Sequence, residues 1–355
     1  GVALPVALSI NRATGLVTIP NGLSAPQAIG DNRIINGDMR IDQRNGGASG
    51  TASAYTVDRW SYVSSSVVGA WGQNSGGVGG RPSGFPYYLG FQSSSAHVSA
   101  PADGFVLLQQ IEADMVSDFA WGTASAQPVT LSFWAYSSLT GTFSGVVRNY
   151  AASRSYPFTF SLPTAFAWTK IAVTIPGDTA GAWVLSGSVG AITLAFDLGC
   201  GSSTRGPANA WASAAYNGAT GSVRVVATNG GFFGVTGVKL ELGSVATPYN
   251  RQSLAKSMAD CQRYYQKVGG AIPFDLEFTG WAAAGNGAAS VVGFPAMRAA
   301  PTATVIGTFT SANLSSVHLY AGLQTVSVEL TATATGYVTW YNSVASAYIT
   351  LSAEL

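Results

Sequence analysis

Chemistry at a protein site needs titratable groups held close together, and this chain offers few of them. Of its 355 residues only 9% are charged, and there are two histidines. The densest acidic run is LLQQIEADMVSDF, which carries Glu112, Asp114 and Asp118, with Asp103 a little ahead. Two carboxylates flanking one glycosidic bond would suit a polysaccharide depolymerase. The same run also reads as a strand edge and a polar turn. His97 and His318 are far apart in sequence and outside any zinc-binding spacing. No Gly-x-Ser-x-Gly elbow occurs, and no Walker or dinucleotide glycine pattern sits in the right context. The expectation is a protein without catalytic residues, cofactor or catalytic metal.

Binding is better served by these residues than catalysis. Aromatic faces stack on the C–H surfaces of sugars while a few donors fix orientation, and loops display such groups readily. The Gly-rich stretch WGQNSGGVGGRPSGFPYYLGF holds Trp71, Tyr87 and Tyr88. A second, GSSTRGPANAWASAAYNGATG, holds Arg205, Asn209, Trp211 and Tyr216. These seven are the candidate carbohydrate-binding residues, and each also fits as a core residue of a β-sandwich. Trp281 and Asn286 in WAAAGNGAAS, with His318 and Tyr320 near the turn at Ala321-Gly322, form a further set.

The elements that would position them are almost all strands. VTLSFWAY sets Val129, Leu131 and Phe133 opposite Thr130, Ser132 and Trp134. TKIAVTI, AITLAFDL, SVRVVA and GVKLEL continue the period-2 pattern. The fold class is all-β. A jelly-roll β-sandwich over residues 31–250 is followed by a linker helix at 251–269 and a smaller β domain at 270–355. Residues 1–30 read as a β stalk or attachment segment too short for its own core. The chain begins with Gly, so its first residue reads as a processing or cloning boundary.

Charge concentrates after Asp31. In GDMRIDQR, Asp38, Arg40, Asp42 and Arg44 alternate with apolar Met39 and Ile41, the pattern of a strand with one charged face. Arginine beside each carboxylate favours ion pairing over calcium. The helix is expected from Gln252 to Lys267. Leu254, Met258, Cys261 and Tyr265 recur at spacings of four, three and four, an apolar stripe for oligomer or interdomain packing.

Four stretches carry a resemblance: NRIINGDMRIDQR (32–44), YTVDRW (55–60), ELGSVATPYNRQSLAKSMADCQRYYQK (241–267) and FPAMRAAPTATV (294–305). In this order they resemble bacteriophage tail-fibre and receptor-binding proteins with a carbohydrate-binding-module-like jelly roll and a Cys-Gln-Arg-Tyr-Tyr linker helix. The resemblance implies a virion protein, assembled in the host cytoplasm, that adheres to host surface polysaccharide without cleaving it. Its N-terminal segment would meet other virion proteins. A purely structural collar, head or tail fibre is the alternative.

Composition is compatible with that reading. Net charge is +1, against the basic stripe that nucleic acid would call for. No run approaches the roughly 18–20 apolar residues of a membrane span, so no membrane insertion is expected. Two cysteines, Cys200 and Cys261, cannot make a disulfide scaffold and read as buried thiols. The second β domain has so few charges that burial in an assembly is expected, and a homotrimer is the assembly predicted.

Overall fold

The computed structural model describes residues 31–76, 78 and 80–355, with the backbone of two short antiparallel strands, β1 (Ser9–Ile10) and β2 (Val17–Thr18). The remainder of the expected stalk lies outside the described residues. Chain order continues with β3 (Ala54–Tyr55), β4 (Trp60–Ser64), β5 (Gly69–Gln73), β6 (Leu89–Ser93), β7 (Phe105–Glu112), β8 (Val129–Ser137) and β9 (Gly141–Asn149). Next come β10 (Ser155–Leu162), β11 (Thr169–Ile175), β12 (Gly190–Asp197), the bridge strands β13 (Arg205–Gly206) and β14 (Gly218–Ala219), and β15 (Phe232–Leu242). Apart from β13 and β14, which pair in parallel with each other, β3 to β15 form a jelly-roll sandwich of two antiparallel sheets, ordered β10-β9-β12-β7-β4-β3 and β11-β8-β15-β6-β5.

Alternation explains how the sheets face each other. On β8 the inward Val129, Leu131 and Phe133 are buried, and on β11 Ile171, Val173 and Ile175 point the same way. Phe133 meets Phe196 of the opposite sheet at 5.0 Å between ring centroids, and Phe143 meets Phe233 at 6.0 Å. Each fully buried ring contributes about 1.5–3 kcal/mol, so this phenylalanine layer is what clamps sheet to sheet. SVRVVA, expected as a strand, is instead a single 3-10 turn at Val225–Ala227.

The charged run is a second correction. Residues 38–44 hold no strand: Asp38 ends one turn, Gln43 and Arg44 open another, and residues 39–42 between them are irregular. Asn36 Nδ2 donates to the Ile41 carbonyl while the Ile41 amide donates to Asn36 Oδ1, so one side chain imitates a strand partner and closes a loop. Met39 takes a left-handed φ of 59° inside that loop. Alternating charge arises here from a tight turn that sends its arginines outward to other elements.

Helix α1 runs from Leu254 to Gln262, shorter than the sequence pattern predicts. Ser253 caps it by accepting the Lys256 amide. Cys261 is fully buried and Met258 half-buried, but Leu254 is 58% exposed, and Tyr265 lies beyond the helix. Tyr265 opens β16 (Tyr265–Val268), which pairs with a strand almost at the C-terminus. The carbonyls of Arg263 and Tyr264 accept the amides of Arg298 and Ala353, so a neighbouring β unit captures the chain where the helix would have continued. Cys200 and Cys261 are both buried free thiols.

The remaining strands are β17 (Glu277–Ala282), β18 (Gly287–Gly293), β19 (Thr302–Ile306), β20 (Thr310–Ala312), β21 (Leu314–Ala321), β22 (Thr325–Ala332), β23 (Gly336–Tyr341) and β24 (Tyr348–Ser352). They form three three-stranded sheets, β16-β24-β19, β17-β23-β20 and β18-β22-β21, around a core of their own that includes Phe278, Val326, Val328, Trp340 and Leu351. Trp281, expected in a loop, is on strand β17.

A buried polar joint connects the sandwich, α1 and this second core. Glu354 receives both Arg44 (2.9 Å) and Arg59, while Arg59 also donates to the Gln110 carbonyl at 2.6 Å. The Arg59 guanidinium lies 3.5 Å from the Tyr264 ring centroid, and that of Arg44 lies 3.7 Å from Tyr265. Arg298 donates to the carbonyls of Ser188, Ala353 and Glu354. Glu112 holds Arg263 at 2.8 Å and accepts the Tyr264 hydroxyl at 2.8 Å. The residues behind the fibre resemblance therefore meet in space, and what they build there is a joint.

Candidate functional site

The outer face of the five-stranded sheet is covered at two places and open between them. Tyr88, Tyr136 and Phe232 cover one part, with Trp168 packed on them. The strap that follows β15 covers the other part. Between them lies a groove of about 360 Å³, bordered by Ser83, Phe85, Trp134, Lys170, Tyr249 and Arg251.

Its floor follows from strand register. Trp134 is on the outward face of β8, beside Lys170 of β11 and Thr236 of β15. Directly after Thr236 the β15 register slips, and Gly237 has a φ of 62°. A Cβ there would come within 2.8 Å of the Phe85 ring and 3.3 Å of Trp134. Glycine at this bulge lets Phe85 lie down on the sheet beside the indole. The edge of Phe85 meets Tyr249 at 5.2 Å, and the Arg251 guanidinium is 5.2 Å from the Phe85 centroid. Three aromatic rings and two cationic donors thus share one groove.

A buried ion pair fixes the wall. Lys239 and Glu241 are almost fully enclosed and 3.0 Å apart. Glu241 accepts the Thr247 amide (2.8 Å) and hydroxyl (2.6 Å), while Lys239 donates to the Thr247 hydroxyl and the Pro248 carbonyl. Every charge in this set has a partner, the condition under which buried charges are tolerated. The Ala246-Thr247-Pro248 segment is thereby pinned across the sheet and carries Tyr249 into place. Burial, together with the nearby Asp38 charge, pushes the Tyr249 phenol well up, so it stays a neutral hydroxyl.

The residues singled out from sequence are scattered. Trp71 and Tyr88 are 4% and 1% exposed, donating to the Ala52 and Ser75 carbonyls. Arg205 is buried against Asp197 at 2.8 Å. These three hold structure and present no face to a ligand, because Gly-rich neighbours let the large side chains turn inward. Tyr87 is exposed and stands on the loop that carries Phe85, its carbonyl accepting the Thr236 hydroxyl. Asn209 is exposed, with a left-handed φ of 59°. Trp211 is half-buried among Trp121, Trp183 and Tyr156, and Tyr216 lies over Gly206. Ala212, next to Trp211, bridges to Ser155 of β10 in the six-stranded sheet, so the second loop belongs to a different sheet from the groove. Sequence reasoning missed Phe85, Trp134, Lys170, Tyr249 and Arg251. The one available signal was a tryptophan on the polar face of β8.

The acidic run does not converge either. Glu112 is paired as described, Asp114 accepts the Gly187 amide, and Asp118 pairs with Arg33. Burial pushes Glu112 up, but the hydrogen bonds from Arg263 and Tyr264 and the Arg263 charge outweigh it and hold the carboxyl below its ordinary range. Among the described residues no group of three or more His, Cys, Asp or Glu side chains is placed to hold a metal. His97 is 3.3 Å from Asp103. His318 and Tyr320 lie on the open face of β21, their rings 6.4 Å apart.

No family model matches this chain, and no curated protein matches it. Similar solved structures include a candidate sugar-binding protein from Bacteroides thetaiotaomicron, at 12% identity and a TM-score of 0.34, covering 60% of this chain and 100% of that one. The enzymatically active domain of bacteriophage CBA120 tailspike protein 4 gives 12% identity and 0.30, covering 59% of this chain; the match spans 21% of that chain. A family 61 carbohydrate-binding module in complex with β-1,4-galactotriose gives 10% identity and 0.30, covering 60% and 99%.

Proposed function

We propose that the chain is a non-enzymatic glycan-binding protein, the receptor-binding part of a bacteriophage fibre, which engages host surface polysaccharide through the groove on the five-stranded sheet. The groove carries the reading: Trp134, Phe85 and Tyr249 offer ring faces and edges to sugar C–H groups, and Lys170 and Arg251 supply donors beside them. The fibre assignment is supported by the four motif stretches, whose residues meet at the joint. Binding without cleavage is supported by Glu112, because a general acid needs a raised pKa and its partners lower it. A homotrimer on the virion completes the reading, supported by apolar side chains that the C-terminal unit leaves open, Trp281 and Tyr337 among them.

Trp134→Ala tests it. On an array of bacterial surface glycans the intact chain should bind at least one structure, and the variant should bind it at least tenfold more weakly while still unfolding cooperatively above the assay temperature. The variant should also stop blocking phage adsorption. A wild-type chain that binds no glycan would favour the purely structural fibre, which suits motifs that build a joint. Release of reducing ends would point to a depolymerase.

A further inference from the structure

Beneath helix α1 is a cavity of about 350 Å³, separate in its chemistry from the groove. Its walls come from the 32–40 turns, the chain at 112–115, the strap at 249–252 and one face of the helix. We propose that this cavity is a second binding site, for one or two units of a neutral saccharide.

Charge pairing gives the ligand class. Asp38 is met by Arg251 at 3.0 Å and Arg40 at 3.5 Å, Glu112 by Arg263 and Tyr264, and Asp260 by Lys256 at 3.0 Å. Asp114 accepts the Gly187 amide. Each carboxylate already has a positive or N–H partner, and each cation a carboxylate. A phosphate would have to break a pair, and so would a metal ion. Paired carboxylates retain lone pairs, and paired guanidiniums and ammoniums retain N–H groups, so the lining still offers both donors and acceptors. A hydroxyl uses both at once without bringing charge. Ile34 and Met115 add apolar surface for a ring face. The volume lies at the small end of the roughly 300–1,000 Å³ typical of ligand sites, which limits the occupant to one or two rings. Arg40 holds the roof in place, donating to the carbonyls of Gln252 and Ser253 and to the Ser257 hydroxyl. Tyr249 lines both the cavity and the groove, whereas Arg251, the partner of Asp38, borders the groove and not the cavity.

The test uses the full chain with lactose, maltose, cellobiose and sucrose as probes, read by saturation-transfer NMR, and glucose 6-phosphate as the charged control. Asn250→Trp and Gln252→Trp, both at exposed positions on the cavity's rim, should plug it without disturbing the core. At least one neutral disaccharide should bind, lose at least tenfold in affinity in both variants, and keep its affinity in Trp134→Ala. Binding lost only in Trp134→Ala would leave the groove as the sole site and overturn the second one. Absence of any disaccharide signal would overturn it too, as would tighter binding of glucose 6-phosphate than of every neutral disaccharide. Loss in the rim variants alone would uphold the cavity even if the groove reading failed.

Discussion

Strand β12 of the sandwich is buried at every position, whereas β18 of the C-terminal unit alternates between exposed and half-buried along its whole length. The outward aromatics show the same contrast. Tyr88 and Tyr136 on the five-stranded sheet lie beneath Trp168 and neighbouring loops, while Trp281 and Tyr337 stand 62% and 72% exposed as a cross-strand pair. Both regions are antiparallel sheet, so secondary structure does not explain the difference. The sandwich has two large sheets to close on each other; the smaller unit has three narrow ones and more surface for its size. It leans on the sandwich through the joint.

Breaking the joint is expected to have the largest effect. Glu354 is buried between Arg44 and Arg59, and burial already lowers the pKa of both guanidiniums. Glu354→Ala would leave them enclosed without their shared counter-charge, at a cost of about 3–5 kcal/mol. In a urea titration followed by tryptophan fluorescence, the C-terminal unit should then unfold ahead of the sandwich. A midpoint equal to wild type would mean that the second unit is stable by its own packing.

Acid should loosen the same joint more gently, through Glu112. Its folded pKa is depressed, so its contribution is complete above the unfolded value, near 4.5, and is lost as pH falls below that toward the folded value. Asp58 works in the opposite direction. Burial raises its pKa despite the Gln43 hydrogen bonds and nearby Arg44, so protonation relieves it as pH falls through that raised value. Glu112→Gln should therefore melt lower than wild type at pH 7, with the gap narrowing below pH 4.5. A gap that stays constant down to pH 3 would show that Glu112 acts by shape rather than by charge.

How much of this was legible follows from the range of each interaction. The alternation in TKIAVTI, VTLSFWAY and TVSVEL is local, and β11, β8 and β22 appear where it places them. The helix end was not legible. Tyr265 falls at helical spacing after Cys261, yet Ser352 is its strand partner, far along the chain. The charged turn was lost for a similar reason, since the Asn36 side chain supplies the hydrogen bonds of a strand that is not there. The groove draws Phe85, Trp134, Lys170 and Tyr249 from four separate segments and depends on a missing Cβ at Gly237. No window of sequence contains that combination. The four stretches behind the resemblance stand out in sequence as a pattern, but their meeting at one joint depends on the folded chain.

The smallest expected effect, and the one that bears most directly on the open faces, is at Trp281 and Tyr337. They sit directly opposite each other on β17 and β23, with their side chains away from the C-terminal core. In an isolated chain, such an exposed aromatic pair is worth about 0.2–1 kcal/mol. The double variant Trp281→Ser, Tyr337→Ser should then melt within a few degrees of wild type. In a homotrimer that buries these rings between copies, each substitution also removes apolar contact at about 25 cal/mol per Å². The expectation under the proposed assembly is a wild-type chain with the native mass of a trimer and a variant that dissociates on dilution while its monomer stays folded. A wild-type monomer at micromolar concentration, with a variant indistinguishable from it, would leave the two rings as open surface. The contrast with the sandwich would then come from ligand contact or simple tolerance of exposure, and the trimer would have to be given up.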